Sequence, residues 1–124
     1  MIRGVFSDRE ARVPLIVRGN NAKELGVAAI LDTGFSGFLT LPPSAIKELE
    51  LVWISRVEGL VGDGTHQVFD LYEGVVIWDD VPCEVEIAVS QTEPLLGMGM
   101  VYGHDLRIQA IEDGLVTIEA MRPA

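Results

Sequence analysis

The chain has 124 residues, 48% of them hydrophobic: one domain, with enough apolar side chains for its own core and too many for a disordered segment. Lys and Arg number 9 and Asp and Glu 19, a net charge of −10 that repels phosphate and argues against nucleic acid and anionic membrane surfaces as partners. The longest unbroken apolar run, 27–31, is far too short to cross a bilayer.

In chain order, Ile2 to Phe6 predicts a first strand, and Asp8-Arg9-Glu10 a polar turn. Ala11 to Val17 predicts a second strand, at an edge or starting near Pro14, because proline has no N–H for a ladder. Gly19-Asn20-Asn21 is a turn signal, and Gly26 to Leu31 reads as a short strand buried on both faces. That strand runs straight into Asp32-Thr33-Gly34-Phe35-Ser36-Gly37, and Phe38 to Leu41 follows as another strand, closed by Pro42-Pro43. Ser44 to Leu49 predicts a short helix, with Ser44 placed to cap it and Glu48 near the capping-box position.

Leu51 to Val61 and Thr65 to Trp78 are β-rich runs around Gly62-Asp63-Gly64, a hairpin tip able to take positive φ. Asp79 to Pro82 reads as a turn, and Cys83 to Val89 as a strand with Val85, Ile87 and Val89 on one face. After Pro94-Leu95-Leu96-Gly97, Met98 to Gly103 predicts a brief helix ending at its glycine. Leu106 to Gln109 and Leu115 to Glu119 complete the strands. The sum is a mainly β domain of eight or nine short strands and two short helices, in keeping with Val and Ile outnumbering Leu and Ala.

The single cysteine, Cys83, excludes an internal disulfide and a cysteine-based zinc cage. With no apolar leader in the first twelve residues, the expected compartment is a reducing cytoplasm. His66 and His104 have no partner at ligand spacing, so no metal is expected, and no glycine-rich phosphate loop precedes a helix, so no cofactor is expected. Trp53 and Trp78, in the two hairpin arms, are candidates to pack across it.

The strongest chemical signal is Ala29-Ile30-Leu31-Asp32-Thr33-Gly34. A carboxylate directly after an apolar strand is held on a rigid backbone, and glycines at 34 and 37 let the chain bend back so that the acid meets a groove. Partial removal from water suits such an acid to proton transfer. The competing reading is structural: Asp32 closes a turn through an Asx-type bond.

Three features in order resemble the retropepsin-like aspartic proteases, single-domain relatives of pepsin. They are the apolar lead-in to Asp32-Thr33-Gly34, a hairpin with a glycine-rich tip at Gly62 to Gly64, and Leu95-Leu96-Gly97 followed by a short helix. The resemblance covers about residues 10–119 and implies a closed antiparallel β-barrel of the acid-protease type. It implies that Asp32 is the catalytic acid and base, supported by Thr33 and Gly34, with Phe35 and the flap residues Val61, Gly62, Asp63 and Gly64 meeting substrate. One Asp-Thr-Gly per chain implies a homodimer, because the chemistry needs two facing carboxylates, and two carboxylates in contact share one proton. The implied activity is an aspartic endopeptidase acting on extended peptides. The alternative is a silent module of the same fold that holds a peptide or subunit. Phe35, where viral members often carry a small residue, and a chain end interrupted by Pro123 favour that alternative.

Overall fold

Three tight turns made of residue pairs with positive φ fold the chain back on itself. Asp8 and Arg9 have φ of 53° and 63°, Asn21 and Ala22 54° and 59°, and Asp79 and Asp80 49° and 65°. Two successive left-handed residues match the right-handed twist of the strands they join, and Asp and Asn tolerate that conformation better than most. The computed structural model describes residues 1–60 and 64–122. These turns connect β1 (Ile2–Ser7) to β2 (Glu10–Arg18), β2 to β3 (Glu24–Leu31), and β6 (His66–Trp78) to β7 (Val81–Val89). The other elements are β4 (Leu39–Leu41), α1 (Pro43–Glu48), β5 (Val52–Leu60), β8 (Leu95–Leu96), α2 (Met98–Val101), β9 (His104–Ile108) and β10 (Gly114–Ala120).

The strands form one mainly antiparallel sheet in the order β5-β6-β7-β4-β8-β3-β2-β1-β10-β9. A further pairing of Ile16 to Arg18 in β2 with Val75 to Ile77 in β6 joins two distant parts of that order. Hydrogen-bonded neighbours can therefore be followed round a circuit, β2-β3-β8-β4-β7-β6 and back to β2. The β1-β10-β9 group extends from it, since β1 pairs with β2 only over Val5 to Ser7. On that side of β2, β1 occupies residues 10–12 and β6 residues 16–18. Pro14 falls in the gap between them, and its other neighbour is Ala28 of β3. The absent N–H thus costs no ladder bond, and the expected edge position is a local one inside a long strand.

The core is built from alternate positions. Ala11, Val13, Leu15 and Val17 of β2 are buried while Pro14 and Ile16 are exposed, the period of two that a strand imposes. They pack with Leu39, Leu41, Leu49, Val76, Ile87, Leu96, Val116 and Ile118 in a single cluster. Among the described residues no helix is long and apolar enough to cross a membrane.

Several expected boundaries shift. Helix α1 starts at Pro43, one residue early, and Ser44 is not its cap: Pro42 stands at the N-cap with no side-chain bond. The Pro42 carbonyl accepts from Ala45 and Ile46, and a proline at the first helical position needs no partner for its missing N–H. Val81 and Pro82 belong to β7 rather than to a turn, because Asp79 and Asp80 complete the reversal alone. Strand β9 begins at His104, before the expected Leu106, and β8 is an additional two-residue strand. Trp53 and Trp78 do not pack together: Trp53 lies opposite Tyr72, and Trp78 packs edge to face on His104.

Candidate active site

Asp32 follows the last residue of β3, where the backbone is held from two sides. Strand β8 runs parallel to β3, with Ile30 beside Leu95 and Leu31 beside Leu96, and antiparallel to β4 through Leu39 and Leu96. The N–H of Ile30 donates to the Pro94 carbonyl at 2.8 Å, and that of Asp32 to the Leu96 carbonyl at 2.9 Å. Thr40, a buried hydroxyl between two buried leucines, accepts from the Leu95 N–H at 2.9 Å. That hydroxyl fastens β8 to β4. The sequence signal for it is a polar residue inside a short apolar strand, which must find a partner.

The turn after β3 is closed by the acid itself. Asp32 Oδ1 accepts the Gly34 N–H at 2.9 Å, and the Asp32 carbonyl accepts the Phe35 N–H at 3.1 Å. This is the Asx-type bond of the structural reading. It engages one carboxylate oxygen, while Oδ2 has no hydrogen-bond partner among the described residues. Asp32 is half-buried, and Thr33 and Gly34 beside it are exposed. A side chain at Gly34 would crowd this bond, because a Cβ there would stand 3.3 Å from Asp32 Oδ1.

The segment after Gly34 is locked to the chain after β8. The Met98 N–H donates to the Phe35 carbonyl at 2.7 Å, Gly97 to Phe38 at 2.9 Å, and Gly99 to Gly37 at 3.0 Å. Backbones this close leave no room for side chains: a Cβ on Gly97 would fall on the Gly37 carbonyl oxygen. The Phe35 ring is half-buried and turned onto these glycines, its edge 2.6 Å from where a Cβ of Gly37 or of Gly97 would stand. Asp32, Gly34, Phe35, Gly37 and Gly97 are therefore brought together, and Thr33 projects from the same turn.

The expected flap corresponds to the hairpin of β5 and β6, paired from Val52 with Glu73 to Leu60 with His66. Its register shifts between Trp53 and Ser55. Asp70 braces that irregularity, accepting the Trp53 indole N–H at 3.0 Å and the Arg56 Nε–H at 3.1 Å. The indole bond first, then the guanidinium, holds the Asp70 carboxyl below the usual carboxylate range. Gly64 has φ of 84°, so glycine's freedom is used there. The other tip residues, Val61, Gly62 and Asp63, lie outside the described residues.

A cavity of about 460 Å³ lies between α1 and β6, against Ile46, Leu51, Asp70 and Tyr72. A second of about 240 Å³ fills the fork beside Pro14, where β1 and β6 diverge along β2. Asp32 lines neither. No three His, Cys, Asp or Glu side chains among the described residues form a metal-holding group. His66 is exposed at the start of β6, and His104 bonds to Trp78. Comparison of the chain with protein-family models, with curated proteins and with solved structures gives no match.

Proposed function

We propose that the protein is a homodimeric aspartic endopeptidase of the retropepsin-like type, with the hydrogen-bonded circuit of strands as its closed barrel. The observation that carries this reading is the Asp32 turn. A half-buried carboxylate with one oxygen fixed by Gly34 N–H and the other unengaged stands on a backbone pinned to Leu96. Interlocked glycine segments immediately behind it make the turn rigid, as a catalytic group requires. One chain supplies one such acid. The second comes from a twofold-related copy, and the exposed Thr33 is available to brace the pair across the axis.

In the proposed reaction the two carboxylates hold one proton between them. The ionised one takes a proton from a bound water while the water oxygen attacks the scissile carbonyl carbon. The protonated one gives its hydrogen to the carbonyl oxygen. The tetrahedral species collapses with the C–N bond breaking and the amine taking up a proton, so no covalent enzyme intermediate forms. Gly34, free of a side chain, leaves its backbone open to an extended peptide, and the β5–β6 hairpin closes over the substrate and excludes water.

The test is cleavage of casein by the wild type and by Asp32→Asn. The asparagine keeps an oxygen for the Gly34 N–H, so the fold survives by circular dichroism while cleavage disappears. Cleavage retained by the variant overturns the mechanism. A folded wild type that binds peptides but cuts none of them between pH 4 and 8 leaves the silent binding module as the reading.

A further inference from the structure

The cavity between α1 and β6 has a volume of about 460 Å³, inside the roughly 300–1,000 Å³ range of small-molecule sites, whereas the one beside Pro14, at about 240 Å³, falls below it. Ile46, Leu51, Tyr72 and Val89 give the larger cavity an apolar wall, and its charged groups are Lys47, Glu50 and Asp70. Strand parity accounts for that mixture. Asp70 and Tyr72 lie two apart in β6 and share a face with the buried Gly74 and Val76. That face is the core side of the sheet, and past the end of the core it meets α1 across the cavity.

Hydrogen-bonding capacity is unspent along this wall. Asp70 gives Oδ1 to Trp53 and Arg56, and its Oδ2 has no partner among the described residues. Glu50 accepts the Asn21 Nδ2–H at 2.8 Å through Oε2, which leaves Oε1. The Tyr72 hydroxyl and the Lys47 ammonium have no partner among the described residues either. Lys47 thus lines the same cavity as two acids without pairing to them, so opposite charges stand apart across it. Two carboxylates against one ammonium, in a chain of net charge −10, repel an anion and call for a cation. A bare metal ion is a poor match: no third metal-binding side chain joins Asp70 and Glu50 among the described residues, and the apolar wall would stay uncovered.

We propose that this cavity binds the free α-ammonium end of an apolar amino-acid residue. The ammonium donates to Asp70 Oδ2 and Glu50 Oε1, the side chain covers Ile46, Leu51 and Val89, and the carbonyl oxygen accepts from Lys47. The ligand's positive charge brings the site to neutrality. Charge-assisted hydrogen bonds are about twice as strong as neutral ones, so the ammonium is the group that fixes the ligand. The inference goes beyond the endopeptidase reading and depends on neither Asp32 nor a second copy. Asp70 also braces the register shift of the β5–β6 hairpin, so an occupant bears on the element that Trp53 reports.

The test titrates the full chain with leucyl-alaninamide below pH 7, where an α-ammonium is charged, and follows the two indole N–H resonances. The expected result is a saturable shift of the Trp53 signal, whose indole is bonded to Asp70, while that of Trp78, bonded to His104, stays in place. N-acetyl-leucyl-alaninamide lacks the charge and glycyl-alaninamide lacks the apolar side chain, and each binds at least about tenfold more weakly. Glu50→Gln, at an exposed position just after α1, weakens leucyl-alaninamide about tenfold. Asp70→Asn does the same while keeping an oxygen for the Trp53 N–H. Free leucine separates the two sources of this chemistry: binding as tight as the amide's assigns the site to an amino acid, and weaker binding assigns it to a peptide end. A Trp53 signal that stays in place at millimolar leucyl-alaninamide overturns the proposal. So does a shift that either control probe reproduces at the same concentration, or a binding constant that either variant leaves unchanged.

Discussion

The indole N–H of Trp78 donates to Nε2 of His104 across 3.0 Å, with the two rings edge to face at 80°. An imidazole nitrogen that accepts carries no proton, so the proton of His104 sits on Nδ1, which donates to the Tyr102 carbonyl at 3.0 Å. One neutral tautomer thus ties the end of β6 to the start of β9. Trp78 is buried, and its N–H has no other partner among the described residues. Replacing His104 with Leu strands that donor and is expected to cost about 1–3 kcal/mol in urea unfolding. Adding Trp78→Phe removes the stranded group, so the double variant loses less than the sum of its parts. Strict additivity refutes the coupling.

The close approach behind Asp32 makes two glycines unequal. Gly97→Ala drives a Cβ into the backbone oxygen of Gly37, which cannot yield without moving the Asp32 turn. The expected loss is at least about 3 kcal/mol, the upper range for overpacking. At Gly37 the obstacle is the Phe35 ring, a side chain that can turn away. Gly37→Ala is expected to cost about 1–2 kcal/mol, and Phe35→Ser is expected to relieve part of it. Equal losses at the two glycines count against this account of the site.

Local chemistry made much of the fold readable. Alternation in Cys83 to Val89 gave the right face, with Val85 and Ile87 buried, and paired polar residues marked the reversals at Asp8-Arg9 and Asp79-Asp80. Leu95-Leu96 escaped because two residues have no period; only Leu31 and Leu39, distant in the chain, make them a strand. Ser44 misled because a capping side chain and a proline at the helix start compete, and Pro43 decided the boundary. The Trp78–His104 contact spans strands far apart in sequence, so no spacing rule reaches it. At the site, the apolar run before Asp32 marked the acid, while the role of Gly97 as its backing depends on a tertiary contact.

Asp70 predicts an acid response in the hairpin. Its carboxyl is held below the ordinary range by the Trp53 indole first and by Arg56 second. A depressed folded-state value contributes stability that is present above the unfolded-state value and is lost as pH falls through the folded one. The hairpin brace therefore persists in mild acid and fails only below the usual carboxylate range. Trp53 fluorescence is expected to stay constant from pH 7 to 5 and to change below about pH 4. In Asp70→Asn that low-pH step is absent. A step near neutral pH in the wild type counts against Asp70 as its origin.

Assembly and catalysis meet in one kinetic experiment. If each site takes one Asp32 from each of two chains, the rate rises with the square of protein concentration while monomer predominates, and becomes linear once dimer saturates. The shared proton requires one carboxylate charged and one neutral, so the rate falls on both sides of a maximum in mild acid. Salt screens the repulsion between two chains of net charge −10. Added salt is therefore expected to tighten the dimer and raise activity at low concentration, with less benefit at pH 5 than at pH 7. Peptide cleavage followed beside analytical ultracentrifugation, at two salt levels from pH 4 to 8, reads all of these together. A linear rate at concentrations where the chain sediments as a monomer rules out an active site shared between two copies.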